Sequence, residues 1–154
     1  MSKFVCLIFV IPYLSFSQIN FVNNANTLGL DDPTGNSVFG GSGVSFVDFD
    51  NDGFHDITLA SGNNVPVRFY KNINGQFFVE VSFFDTPLNY DYNTRSVVWV
   101  DYDNDGDKDF FLTSDTDGNR LFNRNGLTLT DITESAGFPL DNLYTYGASW
   151  GGYR

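Results

Sequence analysis

The chain has 154 residues, 42% of them hydrophobic and 18% aromatic, with a formal net charge of −11. That charge makes nucleic acid and anionic membrane surfaces poor partners, and the aromatic content argues for a folded, core-forming chain over a disordered acidic one. One cysteine, Cys6, and one histidine, His55, leave little material for a disulfide framework, a thiolate metal site or a histidine-dependent triad.

Residues 1–17 read as a secretory signal. Met1-Ser2-Lys3 carries a positive charge, Phe4 to Phe16 is an apolar run too short to span a bilayer, and Ser15-Phe16-Ser17 offers small residues before a cut at Gln18. An uncleaved anchor or a buried strand is the alternative. Cleavage would remove Cys6 and Lys3, leaving a thiol-free chain of charge −12 after one positive charge is subtracted.

Two nine-residue stretches carry the chemistry. Asp48-Phe49-Asp50-Asn51-Asp52-Gly53-Phe54-His55-Asp56 and Asp101-Tyr102-Asp103-Asn104-Asp105-Gly106-Asp107-Lys108-Asp109 repeat one D-x-D-x-D-G-x-x-D pattern. Carboxylates at positions 1, 3, 5 and 9 gather hard oxygen ligands around one point, glycine at position 6 permits a sharp turn, and position 7 can offer its carbonyl. Without a cation, four carboxylates so close would repel strongly, so two Ca²⁺ sites are expected. An EF-hand does not fit, because position 12 is Leu59 or Leu112 within an apolar run where that fold needs glutamate. Gly40-Gly41-Ser42-Gly43 is a single faint match to a β-helix calcium repeat and lacks the aspartate.

The segments around the loops repeat as well. Gly43 to Val47 and Ser96 to Val100 predict strands entering the loops; Ile57 to Ala60 and Phe110 to Thr113 predict strands leaving them. Val67 to Lys71 pairs with Asn119 to Asn123, each followed by an Asn-Gly hairpin signal at Asn74-Gly75 and Asn125-Gly126. Returning strands are expected over Gln76 to Ser82 and Leu127 to Thr133. Nothing here has helical period. Tyr146 to Trp150 begins a third unit, with Trp150 standing where Trp99 stood, and Phe21 to Leu30 aligns loosely with Leu129 to Phe138.

These residues resemble the FG-GAP/VCBS repeats of integrin-α-like β-propellers. The resemblance is carried by Val44 to Gly53, its copy at Val97 to Gly106, and the Asn-Gly hairpins Lys71 to Phe78 and Asn123 to Thr130. Thr130 to Phe138 is also similar to secreted proteins of the cartilage-acidic-protein kind that bear an ASPIC/UnbV region, although no such region is found here. The resemblance implies an all-β fold of four-stranded antiparallel blades with calcium in the first hairpin. It implies side-chain ligands Asp48, Asp50, Asp52 and Asp56 with the Phe54 carbonyl, and Asp101, Asp103, Asp105 and Asp109 with the Asp107 carbonyl.

The expected organisation is a signal at 1–17, a partial blade and linker at 18–42, repeats at 43–95 and 96–146, and a cut-short third repeat at 147–154. About two and a half blades cannot close a ring, so an N-terminal piece of a longer protein is expected; a small sandwich or a ring-completing oligomer is the alternative. The functional expectation is an exported, non-enzymatic calcium-binding module for adhesion or recognition of protein or glycan, at the cell surface or outside it. Tyr90 to Arg95 and Asn142 to Tyr146 are its candidate contact loops. A propeller polysaccharide lyase or glycosidase, and a purely structural matrix component, are the competing readings.

Overall fold

Among the described residues, short apolar runs bounded by aspartate, asparagine and glycine become eight β-strands: β1 Val44–Val47, β2 Asp56–Leu59, β3 Arg68–Ile73, β4 Phe77–Val81, β5 Thr94–Val100, β6 Asp109–Ser114, β7 Arg120–Asn125 and β8 Thr128–Asp131. The computed structural model describes residues 19–30, 43–60, 66–83, 94–115, 118–140 and 143–151. The predicted signal at 1–17, most of the glycine-rich stretch, Tyr90 to Asn93, Asn142 and Gly152 to Arg154 lie outside the described residues. Among the described residues no helix is long and apolar enough to cross a membrane.

The strands form two four-stranded antiparallel sheets, each in the up-and-down order β1-β2-β3-β4 and β5-β6-β7-β8. This is the all-β architecture expected from the sequence, two partial propeller blades without a closed ring. β5 starts at Thr94, just ahead of the point where the sequence repeat was set. The acidic loops are the hairpins between first and second strands, with Val47 opposite Asp56 and Val100 opposite Asp109.

The third-to-fourth-strand hairpins differ. Asn74 and Gly75 both take positive φ, 53° and 72°, and the Gln76 N–H closes the turn on the Ile73 carbonyl, as an Asn-Gly signal predicts. In the second sheet Asn125 pairs with Thr128, so the turn is Gly126-Leu127 with positive φ at Gly126. Glycine at the first turn position fits a II′ hairpin. Asn125 is therefore the last strand residue, corresponding to Ile73, and the expected Asn-Gly turn has moved one residue along.

The core lies between the sheets and is aromatic. Trp99 on β5 packs against Phe49 in the β1–β2 loop, Phe83 just after β4 and Phe69 on β3, with ring centroids 5.0, 5.6 and 5.9 Å away, and against Phe110 of its own sheet at 5.0 Å. Its indole N–H donates to Thr58 Oγ1 on β2 at 2.8 Å, which satisfies the one polar atom such a ring buries. Trp150 repeats the contact one sheet on, 5.2 Å from Phe111 on β6. Phe111 stands where Thr58 stands in the first sheet, so the buried Trp150 N–H finds no acceptor among the described residues.

The loose match of Phe21 to Leu30 with Leu129 to Phe138 corresponds to one shared turn. Leu28, Gly29 and Leu30 N–H groups donate to the Asn24, Asn26 and Ala25 carbonyls. Ala136, Gly137 and Phe138 donate to Ile132, Glu134 and Thr133 at the same spacings, with φ of 82° at Gly29 and 83° at Gly137.

Trp99→Phe strands the buried Thr58 hydroxyl and shrinks the core, and should cost about 1–3 kcal/mol in denaturant unfolding. Trp150→Phe removes an N–H that has no acceptor among the described residues and should cost less.

Candidate metal centres

Both acidic loops are built around a buried aspartate at position 9. Asp56 and Asp109 are the first residues of β2 and β6 and are only 1% and 0% exposed. Asp56 Oδ2 accepts the Phe49 N–H at 3.0 Å and Oδ1 the Asn72 N–H at 2.8 Å. Asp109 repeats this with Tyr102 at 3.1 Å and Arg124 at 2.9 Å. One carboxylate thus ties the start of the loop to the third strand.

Position 1 holds the turn. Asp48 accepts the Asp52 and Gly53 N–H groups at 3.1 and 2.9 Å, and Asp101 accepts that of Gly106 at 3.2 Å. Asn51 and Asn104 at position 4 both have φ of 62°, and Gly53 and Gly106 have φ of 95° and 98°. Asparagine tolerates the left-handed region and glycine enters it freely, so the loop curls over its own carboxylates. Position 5 caps position 7, with Asp52 Oδ1 accepting from Phe54 N–H and Asp105 Oδ1 from Asp107 N–H, both at 3.0 Å.

The folded loops bring positions 1, 3 and 9 together. In Asp48, Asp50 and Asp56, and again in Asp101, Asp103 and Asp109, one oxygen of each carboxylate lies within 4.8 Å of the others. The carboxylates of Asp52 and Asp105, expected as ligands at position 5, are not among the three that cluster in each loop.

Electrostatically the triads are strained. Burial raises the carboxyl pKa values of Asp56 and Asp109 despite their paired N–H bonds; Asp50 and Asp52 add to the rise at Asp56, and Asp103 and Asp107 at Asp109. Asp107 is also raised, by burial and then by Asp105. Asp50 Oδ1, Asp101 Oδ1 and Asp107 Oδ1 are buried without a hydrogen-bond partner among the described residues. Anionic oxygens without donors, in an all-oxygen set, suit a hard divalent cation, and the geometry is repeated in two loops.

Four contributors were not identified from the sequence. Lys71 on β3 pairs with Asp50 and lies 2.9 Å from Asp52, which it holds below the usual carboxylate range. Asn123 on β7 donates to Asp103 at 3.0 Å. Asn51 bridges the loops, donating to the Gly106 carbonyl at 3.2 Å and accepting from Lys108 at 2.7 Å. Arg124, 6% exposed, reaches the Phe49 carbonyl at 2.7 Å. Lys71, Asn123 and Arg124 lie on the third strands, outside the motif, and Asn51, although inside it, makes these bonds to the other loop, so the motif alone does not mark them.

In chelator, Asp109→Asn should destabilise the fold by about 1–3 kcal/mol, because its amide NH₂ must face a backbone N–H donor. Asp101→Asn, which replaces an orphaned anionic oxygen, should stay within about 0.5 kcal/mol of wild type. Denaturant unfolding without metal separates the two.

The family model of the FG-GAP-like repeat matches residues 48–112, which include both acidic loops and strands β2 to β5 with most of β6. No curated protein and no solved structure matches the chain significantly. The matched stretch, together with the two sheets, supports an FG-GAP repeat protein.

Proposed function

We propose that the protein is an exported calcium-binding repeat module of integrin-α-like or cartilage-acidic-protein-like kind, which recognises protein or glycan outside the cell. The observation that carries the calcium reading is the repeated aspartate triad with unpartnered buried carboxylate oxygens. Asp48, Asp50 and Asp56 would hold one ion and Asp101, Asp103 and Asp109 the other, with Asp52, Asp105 and the carbonyls of Phe54 and Asp107 completing the shells as the motif expects.

The role of the ion is structural. It offsets carboxylates that burial alone disfavours and pins the hairpins that abut the aromatic core. Extracellular modules bind calcium at about 10⁻⁴–10⁻³ M, so millimolar calcium would keep such loops largely filled. The clustered carboxylates already serve loop geometry, which favours a structural over a catalytic role. Recognition falls to exposed aromatics, for which Tyr144 and Tyr146, 74% and 69% exposed, are the candidates. The Arg95 guanidinium, paired with Asp115, lies 5.8 Å from the Tyr146 ring centroid and helps to hold that ring.

Chelator-stripped protein should gain about 2.7 kcal/mol per site at a calcium concentration a hundredfold above Kd, seen as a raised unfolding midpoint that magnesium does not reproduce. A folded chain whose midpoint ignores calcium overturns the reading. Apparent affinity should also fall as pH drops below neutrality. Asp56 and Asp109 have raised pKa values, so protons compete for them above the ordinary carboxylate range, and calcium binding must expel those protons. Calorimetry at pH 7 and pH 5 measures this. On a glycan array, Tyr144→Ala should weaken any hits of the intact protein.

A further inference from the structure

The two loops share their backbone design but differ in the side chain that the third strand lays against them. Lys71 precedes Asn72, whose N–H holds Asp56, and Asn123 precedes Arg124, whose N–H holds Asp109. The two are therefore structural equivalents. Lys71 places its ammonium on Asp50 Oδ2 and 2.9 Å from Asp52 Oδ2. Asn123 places a neutral amide 3.0 Å from Asp103 Oδ2 and 3.4 Å from Asp109 Oδ1.

Lys108 does not even out the difference. It belongs to the second loop, but its ammonium donates to Asn51 Oδ1 of the first at 2.7 Å. Asp107 adds a further carboxyl group to the second loop, where the first has Phe54. The first loop thus carries a tethered cation on its position-3 carboxylate, one of the three groups that converge on the triad. A lysine ammonium is a compact point charge on a flexible stem, so it can neutralise a carboxylate and can also be displaced from it.

We propose that Lys71 is a built-in competitor for the first metal loop, so that calcium fills the Asp101 loop first and enters the Asp48 loop only as Lys71 leaves Asp50 and Asp52. This rests on the calcium reading above and adds an order of loading to it. The first loop then retains a counter-charge on its position-3 carboxylate when calcium is scarce, whereas in the second loop Asp103 meets only the Asn123 amide and the nearby cation, Arg124, acts on Asp107. The chain responds to calcium in two steps of different midpoint.

The test is a calcium titration of the chelator-stripped full chain followed by ¹H–¹⁵N NMR, reading the position-6 glycine amides of the two loops separately. The Gly106 amide should reach its midpoint at lower calcium than Gly53. Lys71→Asn should lower the Gly53 midpoint about tenfold, the scale of one nearby charge partly screened by solvent, and leave Gly106 within about twofold. Asn123→Lys should raise the Gly106 midpoint by a similar factor, which provides a second test if the first variant folds poorly. Coincident wild-type midpoints, or a Gly53 midpoint that Lys71→Asn does not move, overturn the proposal while calcium binding stands. If neither amide responds to calcium in folded protein, the calcium reading itself falls.

Discussion

The structure depends on two carboxylates held almost out of contact with water. Asp56 and Asp109 are buried in an acidic chain, where an ionised group is costly unless its lone pairs are filled. Each spends both oxygens on backbone N–H groups, one at the second residue of its loop and one on the third strand. Charge-assisted bonds of this kind are short and directional. They fix the loop relative to the sheet, and the remaining carboxylates converge because that frame is rigid. The aspartate triads and the strand geometry therefore share one set of bonds.

The same bonds connect the loops to the interior. Phe49 donates its N–H to Asp56 and accepts from the Arg124 guanidinium, while its ring packs on Trp99 and Phe83. Arg124 also donates to the Gly126 carbonyl in the β7–β8 hairpin. With Asn51 reaching Gly106 and Lys108, the first loop is fastened to the second sheet at both backbone and side chain. What happens at one acidic loop is thus felt at the boundary between the sheets.

Much of this was legible in the sequence because aspartate spacing, glycine at position 6 and alternating apolar runs each have a local cause. The two loops, the eight strands and the role of Trp99 as an equivalent of Trp150 could be read without coordinates. The second hairpin could not, because Asn125-Gly126 gives the same local signal as Asn74-Gly75 while the strand register shifts it by one residue. Lys71, Asn123 and Arg124 were also hidden. Their partners lie on another element, and only the pairing of Ile57 with Tyr70 and of Phe110 with Phe122 brings the third strand beside the loop. The backbone-capping role of Asp52 and Asp105 was hidden for a similar reason: a carboxylate at position 5 can accept the backbone N–H two residues on, and the motif does not mark that bond.

The up-and-down strand order has a kinetic consequence. Every strand pairs with its neighbour in the chain, so each sheet closes through short segments and contact order within it is low. The closure entropy that must be overcome late is that of bringing one sheet against the other, as in the span from Thr58 to Trp99. Such a chain behaves as a row of units coupled to their nearest neighbours, in which a formed sheet is the template on which the next one docks. Trp99, delivered by β5, makes that docking step visible to fluorescence.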